Sequence, residues 1–150
     1  MDRRRRAWRA LAALSWPERR LLGWAWWMLP AVAIALRVLG FTRVQRLLTG
    51  RQDAAVAKAN VGEAQSVARL VDAAARWNPV PAACLVRSLV LCHMLHRLGL
   101  DARLHLGVAQ PDGSLEAHAW VEHHGVALAE AGATAACYTP LHQPASHGSA

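Results

Sequence analysis

Apolar residues change their spacing several times along this chain, and each change marks an element. Between Arg20 and Arg37 lies LLGWAWWMLPAVAIAL, 16 residues without a charge. Ser15-Trp16-Pro17-Glu18, just ahead of it, has the marks of a helix start: serine at the N-cap, proline in the first turn, and glutamate at the third position as in a capping box. The run is shorter than the ~20 apolar residues of a bilayer-spanning helix, and Pro30 should kink it. Three readings stay open: a buried or partner-facing helix, an element lying on a membrane surface, and a span lengthened past Arg37 by Val38-Leu39-Gly40-Phe41. Residues 49–62 (TGRQDAAVAKANVG) are a polar, glycine-bounded connection and the best hinge in the chain.

Helical spacing returns with Ala64, Val67, Ala68, Val71, Ala74 and Ala75, which predict one small-residue face. Asn78-Pro79 stops that helix. A second apolar helix, ACLVRSLVLCHMLHRLGL (83–100), starts about a turn later after Pro79 and Pro81, and Gly99 ends it. The period then falls to two in ARLHLGVAQ, LEAHAWVE and VALAE, separated by Pro111-Asp112-Gly113 and His123-His124-Gly125. That pattern predicts a three-stranded antiparallel meander. The tail from Ala131 has little periodicity and is expected to be loose. The class is therefore α+β, with an N-terminal helical region (1–48), a core (63–130) and a tail (131–150).

At 150 residues and 54% hydrophobic, the chain is long enough for one domain with a real core. The formal charge of +7 sits mostly at the front: Arg3 to Arg6, Arg9, Arg19, Arg20, Arg37, Arg43, Arg46 and Arg51. Such a front faces something anionic, either lipid headgroups or an acidic peptide. No ribonucleoprotein pattern, zinc finger or phosphate loop points to nucleic acid. Residues 1–20 open like a signal peptide but reach Ser15-Trp16-Pro17 without a small-residue cleavage site. The expected place is the cytoplasm, with membrane association resting on the apolar helix alone. Three cysteines without a CxxC exclude a disulfide scaffold and a zinc ribbon, and no metal or cofactor is expected.

Cys84, His118 and Glu130 carry the candidate chemistry. Cys84 opens the second apolar helix, where the macrodipole stabilises negative charge on sulfur. Cys92, two turns on, reads as a small buried hydrophobe, and Cys137 lies in the tail. If His123-His124-Gly125 form a three-residue loop, Glu122 pairs with Val126, Trp120 with Leu128, and His118 with Glu130. Opposed residues share a face, so imidazole and carboxylate become neighbours. Nucleophile, base and orienting group are then all present. Glu122 is the rival carboxylate, four residues along the strand. Trp120 can roof the pair, pack on Leu128, or do both at once. His93 and His96 read as a surface helix face, His105 as core or rim, His123 and His124 as turn residues, and His142 and His147 as tail. The Cys84 amide is a natural oxyanion donor, while Asn78 serves either as a second donor or as a helix C-cap.

These residues resemble a known family. Cys84-Leu85, Arg97 to Ala102, Gly107-Val108 and Ala117 to Glu122 (AHAWVE) are similar to the pattern of the leader peptidases of lasso-peptide biosynthesis. The likeness is good from about Glu63 to Glu130 and weaker at Ser15-Trp16-Pro17-Glu18-Arg19. It implies a transglutaminase-like (papain-like) cysteine-protease core, with Cys84 as nucleophile and His118 as base. The third position, usually Asp in that family, holds Glu130. It also implies partners: a precursor leader peptide, a separate leader-binding protein and an ATP-dependent cyclase. Two other classes stand beside it, an acyl transferase with an amine acceptor and a non-catalytic adaptor or membrane-associated scaffold of degenerate fold.

Overall fold

The computed structural model describes residues 14–49, 61–109, 116–128 and 139–140. Among these, helices α1 (Trp16–Leu39), α2 (Phe41–Thr49), α3 (Val61–Trp77) and α4 (Cys84–Arg97) come first. Strands β1 (Arg103–Ala109), β2 (Glu116–His123), β3 (Val126–Ala127) and β4 (Thr139–Pro140) follow, in the sheet order β3-β2-β1-β4. All pairs are antiparallel.

The first helix starts where its sequence predicts. Glu18 accepts hydrogen bonds from the Ser15 hydroxyl and the Ser15 backbone N–H, both at 2.7 Å. These bonds, the hydroxyl's first, hold the Glu18 carboxyl below its ordinary value. The helix then continues through Pro30 to Leu39. Proline has no N–H, so the carbonyl of Trp26, four residues earlier, loses its helical donor. Asn78 replaces it, donating from Nδ2 at 2.8 Å, while its Oδ1 accepts from the Val80 N–H at 3.0 Å. The defect in α1 thereby anchors the segment that leads into α4. The apolar run does not carry on through Phe41 in one helix, because Gly40 turns the chain at a φ of 78° and α2 begins after it.

One core joins the helices to the sheet. On α3, Ala64, Val67, Ala68, Val71 and Ala74 are buried as their spacing predicts, with Leu70 added. Small side chains let α3 lie close to α1, its most extensive neighbour. Ala25, Leu29 and Val32 of α1 and Val44 of α2 pack in one cluster with Val86, Leu89, Met94 and Leu95 of α4 and with Leu104, Val121 and Leu128 of the sheet segment. Ala25, Leu29, Val32 and Val44, from the region set apart at 1–48, thus contribute to this core. Helix α4 ends in a Schellman arrangement: Gly99 (φ 76°) donates to His96, and Leu100 donates to Leu95. Leu95 and Leu100 are both buried, which supplies the apolar contact of that cap.

The β2–β3 hairpin differs by one residue from its sequence expectation. His123 pairs with Val126 and Glu122 with Ala127, leaving a two-residue turn at His124-Gly125. Both have positive φ, 50° and 77°, as a turn matched to the strand twist demands. Burial explains the choice. The observed register puts Leu128, whose N–H reaches the Val121 carbonyl at 2.9 Å, on the core face beside Val121 rather than opposite Trp120. It also removes the geometric ground for opposing His118 and Glu130; Glu130 itself lies outside the described residues. The tail contributes β4, whose Thr139 and Pro140 pair with Val108 and Gly107.

Candidate active site

Cys84 is the first residue of α4, after Ala83 in extended conformation (φ −60°, ψ 158°). No side chain caps this helix end. In an α-helix the amides of its first residues have no intrahelical acceptor, so those of Cys84 to Val86 offer donors to a bound group. The Cys84 side chain is partly exposed and carries a free thiol.

The next turn attaches this helix end to the sheet. Buried Ser88 donates from Oγ to the Ala119 carbonyl at 2.9 Å, at the residue after His118. Arg87 reaches Asp72 of α3, Nη1 to Oδ1 3.7 Å, and its charge acts on His118. Ser88, four positions beyond Cys84, therefore ties the start of α4 to the middle of β2, while Arg87 ties it to α3. The His118 imidazole has its pKa lowered from 6.5, by burial first and by the Arg87 guanidinium second, since both disfavour imidazolium.

On β2, alternation places His118, Trp120 and Glu122 on one face and Ala119, Val121 and His123 on the other. The first face carries a layer of rings. Trp120 stacks on His118 (centroids 6.3 Å, 17° between planes) and on His105 of β1 (5.6 Å, 17°). Glu122 closes the far end: Oε1 accepts from Trp120 Nε1 at 2.9 Å, and Oε2 lies 3.3 Å from His105 Nε2, without the alignment of a hydrogen bond. Trp120 is thus fixed at its rim and lies nearly parallel to the His118 ring. It does not pack on Leu128, which faces the core.

Other residues singled out from the sequence fall into structural places. Cys92 is 1% exposed, with Sγ 3.5 Å from the Ala102 carbonyl. Burial, and to a lesser degree Asp101, pushes its thiol up to about 12. His93 and His96 are not a surface face. His93 Nδ1 meets the Leu48 carbonyl at 3.0 Å, and His96 Nε2 meets the Ala102 carbonyl at 2.7 Å, so they pin α2 and β1's approach to α4. His123 is a buried strand residue whose Nδ1 is bonded to the Asp101 carbonyl. The bond from Asn78 to Trp26 gives that side chain a structural role. Cys137, like Glu130, lies outside the described residues. Among the described residues, no group of three or more His, Cys, Asp or Glu is placed to hold a metal ion. Sequence reasoning missed Arg87 and Ser88, for which the positions three and four beyond Cys84 were the available signal; His105, read as core or rim, lies half-buried against Trp120.

A family model described as the transglutaminase-like superfamily matches residues 25–143. Comparison with curated proteins and with solved structures gave no match.

Proposed function

Because the chain belongs to the transglutaminase-like superfamily, we propose that it is a cysteine peptidase with Cys84 as nucleophile and His118 as general base. The observation that carries this reading is the attachment of α4, one turn beyond Cys84, to β2 at the His118–Ala119 step. His118 takes the thiol proton and sulfur attacks a peptide carbonyl. The first-turn amides of α4 receive the oxyanion, and the amine leaves with the proton from His118. Water then hydrolyses the thioester. Keeping the imidazole neutral near pH 7 suits a base, and burial with Arg87 acts in that direction. Glu130 is proposed as the group that orients His118 from the resemblance alone.

The substrate proposed is the precursor of a lasso peptide, cut between leader and core. A separate leader-binding protein and an ATP-dependent cyclase are the proposed partners. Support comes from Cys84-Leu85 and AHAWVE in their spacing and from the resemblance they carry. The test is incubation of the full chain with precursor and leader-binding protein, followed by intact mass. Cleavage at one junction, with a thioester adduct on Cys84 trapped at low pH, is expected. An amide product formed with an added amine, in place of hydrolysis, would move the assignment to acyl transfer. No adduct and no cleavage would favour a non-catalytic adaptor.

A further inference from the structure

The inner face of α1 is used up by the core, and its outer face is apolar as well. Trp16, Trp27, Ile34 and Val38 are 73%, 71%, 63% and 73% exposed. With 3.6 residues per turn, these four lie within about 40° of one another, opposite buried Ala25, Leu29 and Val32. They form a single stripe along the helix. Exposed Arg20 and Arg37 stand near its two ends, roughly 25 Å apart at 1.5 Å per residue. A helix apolar on both sides needs cover on both, and here the core supplies only one.

Charge selects the cover. Residues 1–49 contain ten arginines against Asp2 and Glu18, whereas residues 50–150 contain seven basic and eight acidic side chains. The whole positive excess of the chain therefore belongs to the segment that carries the stripe. A second copy would bring two such segments together and set like charge against like. A helix's outer side is a convex ridge, which needs no shaped groove to enter a headgroup layer. Tryptophan rings suit the level between headgroup and acyl chain, and arginines at the margins can reach phosphate. We propose that the outer face of α1 docks the protein onto an anionic lipid surface, lying in the interface rather than crossing it. The helix is long and apolar enough to span by composition. However, Ala25, Leu29 and Val32 are already committed to α3 and α4, and a span would strip them from that core.

The test uses the full-length chain and two kinds of vesicle, phosphatidylcholine alone and phosphatidylcholine mixed with phosphatidylglycerol. Flotation should favour the anionic vesicles, and raised salt should weaken binding. Brominated acyl chains should quench tryptophan fluorescence, less so in Trp27→Ser. Arg20→Gln and Arg37→Gln should each lower partitioning about fivefold. Trp16→Ser with Trp27→Ser should lower it at least ~tenfold while the thermal transition and Cys84 alkylation stay as in the parent. Equal partitioning to both vesicles, or none, overturns the proposal. Retention after an alkaline carbonate wash would make α1 a span. Self-association lost in the tryptophan variants without lipid would make the cover a second copy. Saturable binding to polyglutamate without bromine quenching would make it an acidic polypeptide.

Discussion

The first turn and the middle of α4 carry the same residue type in opposite circumstances. Cys84 stands in an uncapped first turn, partly exposed, one turn ahead of Ser88, which is bonded to β2. Two turns on, Cys92 is sealed between the helix and the Ala102 carbonyl, and the cost of burying a thiolate pushes its ionisation to about 12. Only the thiolate is a nucleophile. Position along one helix thus separates a partly exposed thiol from a packed one. The C-terminal half of the same helix is held by the Leu95–Leu100 cap and by His96, whereas no side chain caps its N-terminal turn.

The sharpest way to break this contrast is to exchange the cysteines' fates. Cys84→Ala should lower leader cleavage by on the order of 10³-fold or more, with an unchanged thermal transition. Cys92→Ala should keep most turnover and cost ~1–2 kcal/mol of stability through lost packing. A dead Cys92→Ala beside an active Cys84→Ala would reverse the assignment.

A smaller effect is expected from the two carboxylates that compete to support His118. Glu130→Gln should lower kcat substantially with little change in KM, since an orienting group acts on the imidazolium of the transition state. Glu130→Asp should be tolerated. Glu122→Gln keeps an acceptor for Trp120 Nε1 and loses only the charge facing His105, so turnover should fall several-fold at most. A crippled Glu122→Gln with a silent Glu130→Gln would transfer the orienting role to the Trp120 layer.

The finest probe is pH. His118 titrates below 6.5 because burial and Arg87 both favour its neutral form, so cleavage should lose its base only on acidification below that value. Arg87→Gln removes one of the two causes. Its acidic limb should move to higher pH while the plateau turnover changes little. An unmoved limb would mean that Arg87 does not act on His118. Stability follows the same sign: the unfolded chain takes up a proton near pH 6.5 that the fold resists, so acidification through that range should weaken the fold.

Much of this molecule was legible in one dimension. The Ser15 start, the small-residue face of α3, the opening of α4 at Cys84 and the strand alternation all follow from periods and end signals, which are local properties. The hairpin register, by contrast, depended on whether Leu128 or Ala127 should be buried. That choice belongs to the core, and shifting it by one residue moves every side chain to the other face. Pro30 announces a missing donor, yet only the packed structure supplies Asn78 to replace it. Arg87 and Ser88 look like ordinary helix residues until β2 arrives beside them. Sequence determined the longer helices, the first three strands and the place of Cys84 at a helix start, because helix geometry and end effects act over a few residues. The tertiary structure alone decided which carbonyls, rings and charges meet that thiol's neighbours, because contacts between residues 31 positions apart, such as Ser88 and Ala119, are made by packing.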